Sequence, residues 1–262
     1  MKKWTRITLL GIVVCAGGLP LLMGADGGCG AFTSTSDAPN VAGRWAITYG
    51  TDLTVKVNLG GAVYSQTLPA SGGAFSVTHQ GKPYAFNLDC NRPEVVCPSE
   101  VWPTLVDIDQ RDAMYKHRMW VKIPVQQCSG QTVAPAKADC GIGTPNPDCK
   151  PVCMGTLTTT TSDAFGLISE AGNKFDLLLG GTFATNGVNC ALLGISSASA
   201  NLTTTGTGAL WQATELRTGV VQTGFAGGCL WVGAIDPQTG KPEALVLGAS
   251  IELSTSFSGL RK

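Results

Sequence analysis

Charge is what this sequence has least of. Asp, Glu, Lys and Arg make up 14% of its 262 residues, where an ordinary soluble domain carries ~25%. The 18 basic and 18 acidic residues also cancel. A chain with no clustered basic surface is not built to hold nucleic acid. Disorder is excluded from the other side, because 44% of the residues are hydrophobic and a disordered chain lacks that much apolar content. Imidazoles are nearly absent: His79 and His117 stand alone. Each reads as an isolated surface residue, His79 at the end of a strand pattern and His117 inside Lys116-His117-Arg118. Also missing are a Gly-x-Ser-x-Gly nucleophile turn, a serine with lysine at helical spacing, and a phosphate-cradling glycine loop before a helix. With no convergent set of reactive groups, neither catalysis nor a cofactor is expected.

What is present begins with an address. Lys2, Lys3 and Arg6 precede Ile7 to Ala25, which holds no charge, and small residues follow at Gly24-Ala25-Asp26-Gly27-Gly28. This is the order of a secretory signal, so residues 1–28 are expected to be removed on export. The stretch is also similar to a bacterial lipoprotein signal, with Gly27-Gly28-Cys29-Gly30 at its end. Asp26 departs from that pattern, occupying the place of an apolar residue. The resemblance implies a lipid on Cys29, membrane attachment through that anchor, and a periplasmic or cell-surface location. Residues 29–40, rich in Ser, Thr, Asp and Pro, read as a polar tether.

Cysteine usage fits that location. Of the 10 cysteines, Cys15 leaves with the signal. With Cys29 as anchor, the rest form an even set: Cys90, Cys97, Cys128, Cys140, Cys149, Cys153, Cys190 and Cys229. The spacings in Cys128 to Cys153 lack the short paired knuckles that hold zinc, and an oxidising compartment favours disulfides. The favoured scheme joins Cys90 to Cys97, staples Cys190 to Cys229 across strands, and closes two bridges in the long loop.

Period-two alternation dominates the rest. Leu53, Val55, Val57 and Leu59 alternate with polar residues; so do Met119 to Val125, Phe175 to Leu179, and Leu245 to Phe257. Turn signals such as Gly60-Gly61, Gly72-Gly73, Asn186-Gly187 and Asp236 to Gly240 separate short strands. No window shows a helical period. The expected fold is all-β, an antiparallel barrel or sandwich over residues 41–262, interrupted by a disulfide-rich irregular insertion at 128–153.

Three further features bear on sites. Asp107, Asp109 and Asp112 are weak candidates for a hard cation; the full calcium-loop pattern is absent, and they read as a solvated acidic edge beside Arg111. Trp45, Trp102, Trp120, Trp211 and Trp231 read as core more than as ligand platforms. Finally, Gly43-Arg44-Trp45 opens the first strand and Arg261 follows the last, an arrangement that resembles the lipocalin-like barrels. The resemblance implies an up-and-down barrel with Trp45 packed beneath Arg261 at its base and a ligand cavity at the other end.

These features together describe an exported, non-enzymatic envelope protein that binds a small apolar ligand in a cavity lined by Leu53, Val55, Ile251 and Leu253, or an envelope partner on its surface. An outer-membrane barrel, a purely structural surface protein and an enzyme with an unsigned site are the alternatives.

Overall fold

The computed structural model describes residues 28–90, 97–133, 152–186, 190–235 and 242–262. The proposed signal up to residue 27, Cys15, Cys140, Cys149 and the turns at 187 and 236–240 lie outside them. The fold is all-β. A short helix, α1 (Gly28–Thr33), precedes β1 (Gly43–Tyr49), β2 (Asp52–Leu59), β3 (Ala62–Pro69), β4 (Gly72–His79) and β5 (Lys82–Asp89). A single turn of helix, α2 (Pro98–Val101), leads to β6 (Leu105–Asp109), β7 (Arg118–Cys128) and the two-residue strands β8 (Thr132–Val133) and β9 (Val152–Cys153). Five long strands finish the chain: β10 (Leu157–Ile168), β11 (Lys174–Asn186), β12 (Cys190–Thr205), β13 (Gln212–Ile235) and β14 (Pro242–Arg261).

Eight of these strands close an antiparallel barrel in the order β1-β6-β7-β10-β11-β12-β13-β14, with β14 returning to β1. The seam runs from Trp45 opposite Arg261 to Tyr49 opposite Phe257. Higher up, β14 leaves β1 and pairs instead with β2, from Ser254 opposite Thr54 to Ala249 opposite Leu59. The barrel is therefore closed at one end and open along β14 at the other, where β2 and β3 continue its wall.

Alternation makes these strands. Along β2, Leu53, Val55, Val57 and Leu59 are all buried while Lys56 is exposed. The same rhythm is hidden in β12, where the inward set is Ala198, Ala200 and Leu202 and the outward set is Ser197, Ser199 and Asn201. Small residues on both faces leave little contrast, so this Ser/Thr-rich segment does not announce itself as a strand. The segments Gly219 to Phe225 and Cys229 to Val232, with small Ala226-Gly227-Gly228 between them, are parts of one 24-residue strand, β13. Gly219 belongs there for a spatial reason: a Cβ on it would stand 2.6 Å from ring carbons of Phe257.

Two sequence expectations are corrected here. The stretch read as a free tether is seated on the barrel wall. Ala31 is buried, Phe32 meets Phe165 edge-on at 5.8 Å, Ser36 bonds His117, and Asp37 pairs with Lys116 at 2.6 Å. And β6, read as an acidic edge strand, is an interior stave between β1 and β7.

Candidate functional site

The closed half of the barrel is filled. Trp45, fully buried, donates its indole N–H to the Val41 carbonyl at 2.9 Å. Above it the segment after α2 crosses the lumen and inserts Trp102, also fully buried, between Phe257 of β14 at 4.6 Å and Phe175 of β11 at 5.9 Å. Tyr49 donates its hydroxyl to the Trp102 carbonyl, and burial pushes the Tyr49 phenol well above its ordinary pKa. Met119, Val121, Leu177 and Leu216 complete this core. Arg261 covers the end: its guanidinium donates to the carbonyls of Asn40 (3.2 Å), Ala213 (3.3 Å) and Ala42, and to Gln212 Oε1 (3.4 Å). Gly43 beneath it has φ of +132°, and a Cβ there would stand 3.3 Å from Arg261 Nε.

The residues expected to line a cavity do not face this lumen. Leu53, Val55 and Leu253 are buried in a second core with Leu68, Phe75, Val77, Cys90 and Cys97, with Ile251 against its margin. The β4–β5 hairpin supplies the cover. Among the described residues a gap of about 400 Å³ lies beside it, lined by Val63 to Gln66 of β3, Phe75 to Thr78 of β4, and Val55. Its lining carries no charge. The Tyr64 hydroxyl is bonded to Nδ1 of His79 at 3.1 Å behind it.

Both histidines are buried, contrary to the sequence reading. His79 is 6% exposed and His117 is not exposed at all. The reason for His117 is local: Nδ1 faces the carbonyls of Ile168 and Ser169, each at 3.1 Å, and Nε2 faces the Ser36 hydroxyl at 2.9 Å. An imidazole with all its polar valences met can be interior at little cost. Nothing in the flanking Lys116 and Arg118 reveals this, because the partners come from α1's trailing segment and from the end of β10.

The three aspartates diverge. Asp107 takes a paired contact from Arg44, directly opposite on β1, at 2.9 and 3.2 Å, and that hydrogen bond holds its carboxyl below the ordinary range. Asp109 faces Arg111 at 3.5 Å. Asp112 pairs with Arg118 at 3.2 Å and accepts the backbone N–H of Met114 and Tyr115. Among the described residues no three His, Cys, Asp or Glu side chains form a metal-holding group.

Asp176 is the carboxylate with the opposite shift. Half-buried on β11, it is pushed above its ordinary pKa by desolvation, with Lys174 only partly opposing. Because the folded pKa is raised, ionised Asp176 opposes folding at neutral pH, and the penalty disappears once pH falls below the unfolded value of ~3.9. Asp176→Asn is expected to raise the melting temperature at pH 7 by about 1–2 °C, a small gain because water still reaches the group. Melting curves at pH 7 and pH 3 check this: the gain should be absent at pH 3.

The cysteine pairs are placed as follows. Cys90 and Cys97 lie within bonding distance with Cα atoms 5.4 Å apart, and so do Cys128 and Cys153 at 5.7 Å. The backbone register sets Cys190 directly opposite Cys229, and Cys29 falls in α1. Trp120 lies half-buried under Arg111, whose guanidinium carbon stands 4.5 Å from the ring centroid.

No protein-family model, no curated protein and no solved structure matches this chain.

Proposed function

We propose that this chain is an exported, non-enzymatic protein of a bacterial cell envelope, attached through a lipid on Cys29, that binds an envelope partner at the open end of its barrel. The observation that carries the choice of partner over carried ligand is the filled closed half of the lumen, where Trp45, Trp102, Phe175 and Phe257 occupy the space at the base in which a carried molecule would sit. The basic start, uncharged run and Cys29 of the leader support export and anchoring. The pairing of Asp107, Asp109 and Asp112 each with its own arginine supports a surface role for them.

An outer-membrane barrel fits less well. The outer surface of the closed half carries Arg44–Asp107 and Arg111–Asp163 pairs, with Thr158 to Asp163 exposed, where a lipid-facing surface would be apolar with aromatic girdles.

Two mass measurements test the reading. Protein purified from the membrane fraction should begin at Cys29 and carry the mass of a diacylglyceryl group, and organic extraction should release no apolar molecule at one per chain. A soluble mature form beginning elsewhere would remove the anchor. A stoichiometric extracted ligand would overturn the partner-binding reading.

A further inference from the structure

β7 and β10 outgrow the barrel wall. The pairing of β6 with β7 ends at Lys122 and that of β11 with β10 at Phe165, yet β7 and β10 stay paired with each other as far as Cys128 opposite Leu157. The ribbon then continues past both strand ends. Ser129 donates its N–H to the Thr156 carbonyl at 3.1 Å, Met154 donates to the Gln131 carbonyl at 2.9 Å, and Thr132 and Val133 of β8 stand opposite Cys153 and Val152 of β9. At ~3.3 Å per residue the arm from Ile123 to Val133 is roughly 30 Å long. Every residue from Leu157 to Asp163 is exposed, although successive side chains of a strand point to opposite faces, so both faces of this stretch stand in solvent. The register from Gly43 through Ile108 to Val121 puts the start of β7 at the base that Arg261 covers. The ribbon therefore projects from the open end.

Its tip is apolar. Val133 lies directly opposite Val152, and Met154 follows two residues along the same arm, so the three share a face. All three are exposed, Met154 at 70%, and so is Leu157 just below them. Exposed hydrophobic residues scattered singly are ordinary, whereas neighbours on one face mark a contact surface. Neither arm, 123–133 or 152–162, holds a charged residue, and it is charge that makes entry into lipid costly. The sulfurs of Cys128 and Cys153 lie within bonding distance where the tip begins.

The segment that carries Cys29 climbs toward the same end. Asp37 pairs with Lys116, Ser36 bonds His117, the Phe32 carbonyl accepts the Nε–H of Arg118 at 2.9 Å, and the Phe32 ring meets Phe165, which stands opposite Trp120. Going back along the chain from 37 to 32 is thus going up the wall from 116 to 120. Cys29 is within one helical turn beyond Phe32, in α1, which rests on β10. A free tether would let the barrel hang in any attitude. A clasped one ties the lipid to the two strands that form the ribbon.

We propose that the ribbon tip, Val133, Val152 and Met154, dips into the interface of the bilayer that holds the Cys29 lipid, so that the barrel is seated on lipid at two points, its open end leaning toward the membrane and its Arg261 end raised. The proposal rests on the anchored reading and names the lipid surface as the partner met at the open end. The lipid supplies affinity, and the tip, whose hold scales with the apolar area it buries, supplies attitude.

Met154 reports on its own insertion, because oxidation of its sulfur adds a mass that peptide mass spectrometry locates. The oxidant is chloramine-T, an anion confined to water. On vesicles of phosphatidylethanolamine with phosphatidylglycerol, the lipidated mature chain should oxidise at Met154 at least fivefold more slowly than the mature Cys29→Ser chain free in buffer. Val133→Asp/Val152→Asp in the lipidated chain should bring the rate back to within about twofold of the free value while the protein stays on the vesicles. Both positions are exposed, so an unchanged melting temperature shows an intact fold. Oxidation at the free rate on vesicles would overturn the proposal, and so would a double variant as protected as its parent. Protection that fades as the chain is diluted in excess lipid would overturn it too, by showing copies packed against one another. A mass with no lipid on Cys29 would remove the anchored reading and this proposal together; a lipidated chain with Met154 unprotected would remove the proposal alone.

Discussion

Trp102→Ala is expected to cost about 3–5 kcal/mol of unfolding free energy, the upper range for deleting a buried aromatic side chain. In a chain of this size each kcal/mol moves the melting point by ~2–4 °C, so a fall of about 10 °C is the expected result. The argument is one of location. The indole sits across the lumen between β11 and β14, touching Phe175 and Phe257, and no side chain can collapse into its place without dragging the segment that Tyr49 holds by its carbonyl. A companion substitution separates filling from bonding. The Trp102 N–H is buried and meets no acceptor among the described residues, so Trp102→Phe gives up an uncompensated donor along with part of a ring, and is expected to cost less than about 1.5 kcal/mol. Denaturant titration of both variants checks this. An alanine variant within about 1 kcal/mol of the parent would show that the lumen can refill from elsewhere.

Arg261→Ala is the second large effect, expected at about 2–3 kcal/mol. One guanidinium answers carbonyls from three places: Asn40 and Ala42 before β1, and Ala213 at the start of β13. Hydrogen bonds to a charged donor are each worth about 1.5–3 kcal/mol, and the partial exposure of Arg261 keeps the sum well below simple addition. Arg261→Lys should recover less than half of the loss, because an ammonium cannot span carbonyls in separate directions as the planar fork does. Thermal melts of the two variants in parallel distinguish geometry from charge. If lysine restores full stability, charge alone holds the end.

How much of this was legible beforehand depended on contrast. Strands with strong alternation, such as β2 with its four aliphatics against Thr54, Lys56 and Asn58, could be read directly. The all-β class followed from them. The same method could not see that β12 and β13 run unbroken for 16 and 24 residues, because alanine, serine and glycine carry almost no difference in transfer free energy between faces. Trp45 and Arg261 were picked out as a pair, and the barrel sets them opposite each other. Trp102 was read as core and is buried in it, but its place across the lumen was not foreseen. Trp102 lies in a Pro-rich loop, and only the three-dimensional path from β5 to β6 carries it into the lumen. The histidines failed in the same way: burial of His117 depends on Ser36, Ile168 and Ser169, all distant in sequence. The gap between β3 and β4 was invisible too, since two short alternating runs around a tight turn predict an ordinary hairpin.

The seam of the barrel also sets an order of events. β1 begins at Gly43 and its partner ends at Arg261, so the ring cannot shut until the last five paired residues have arrived from the other end of the chain. Contacts of such sequence separation demand that nearly the whole loop-closure entropy be met before any reward is collected, and they slow folding. Until then each stave holds an unfinished sheet with two raw edges. A ring whose last seam waits on residues 257–261 keeps its lumen accessible through most of its folding and commits to its shape only at that step. A deletion of Phe257 to Arg261 would leave it permanently at that penultimate stage.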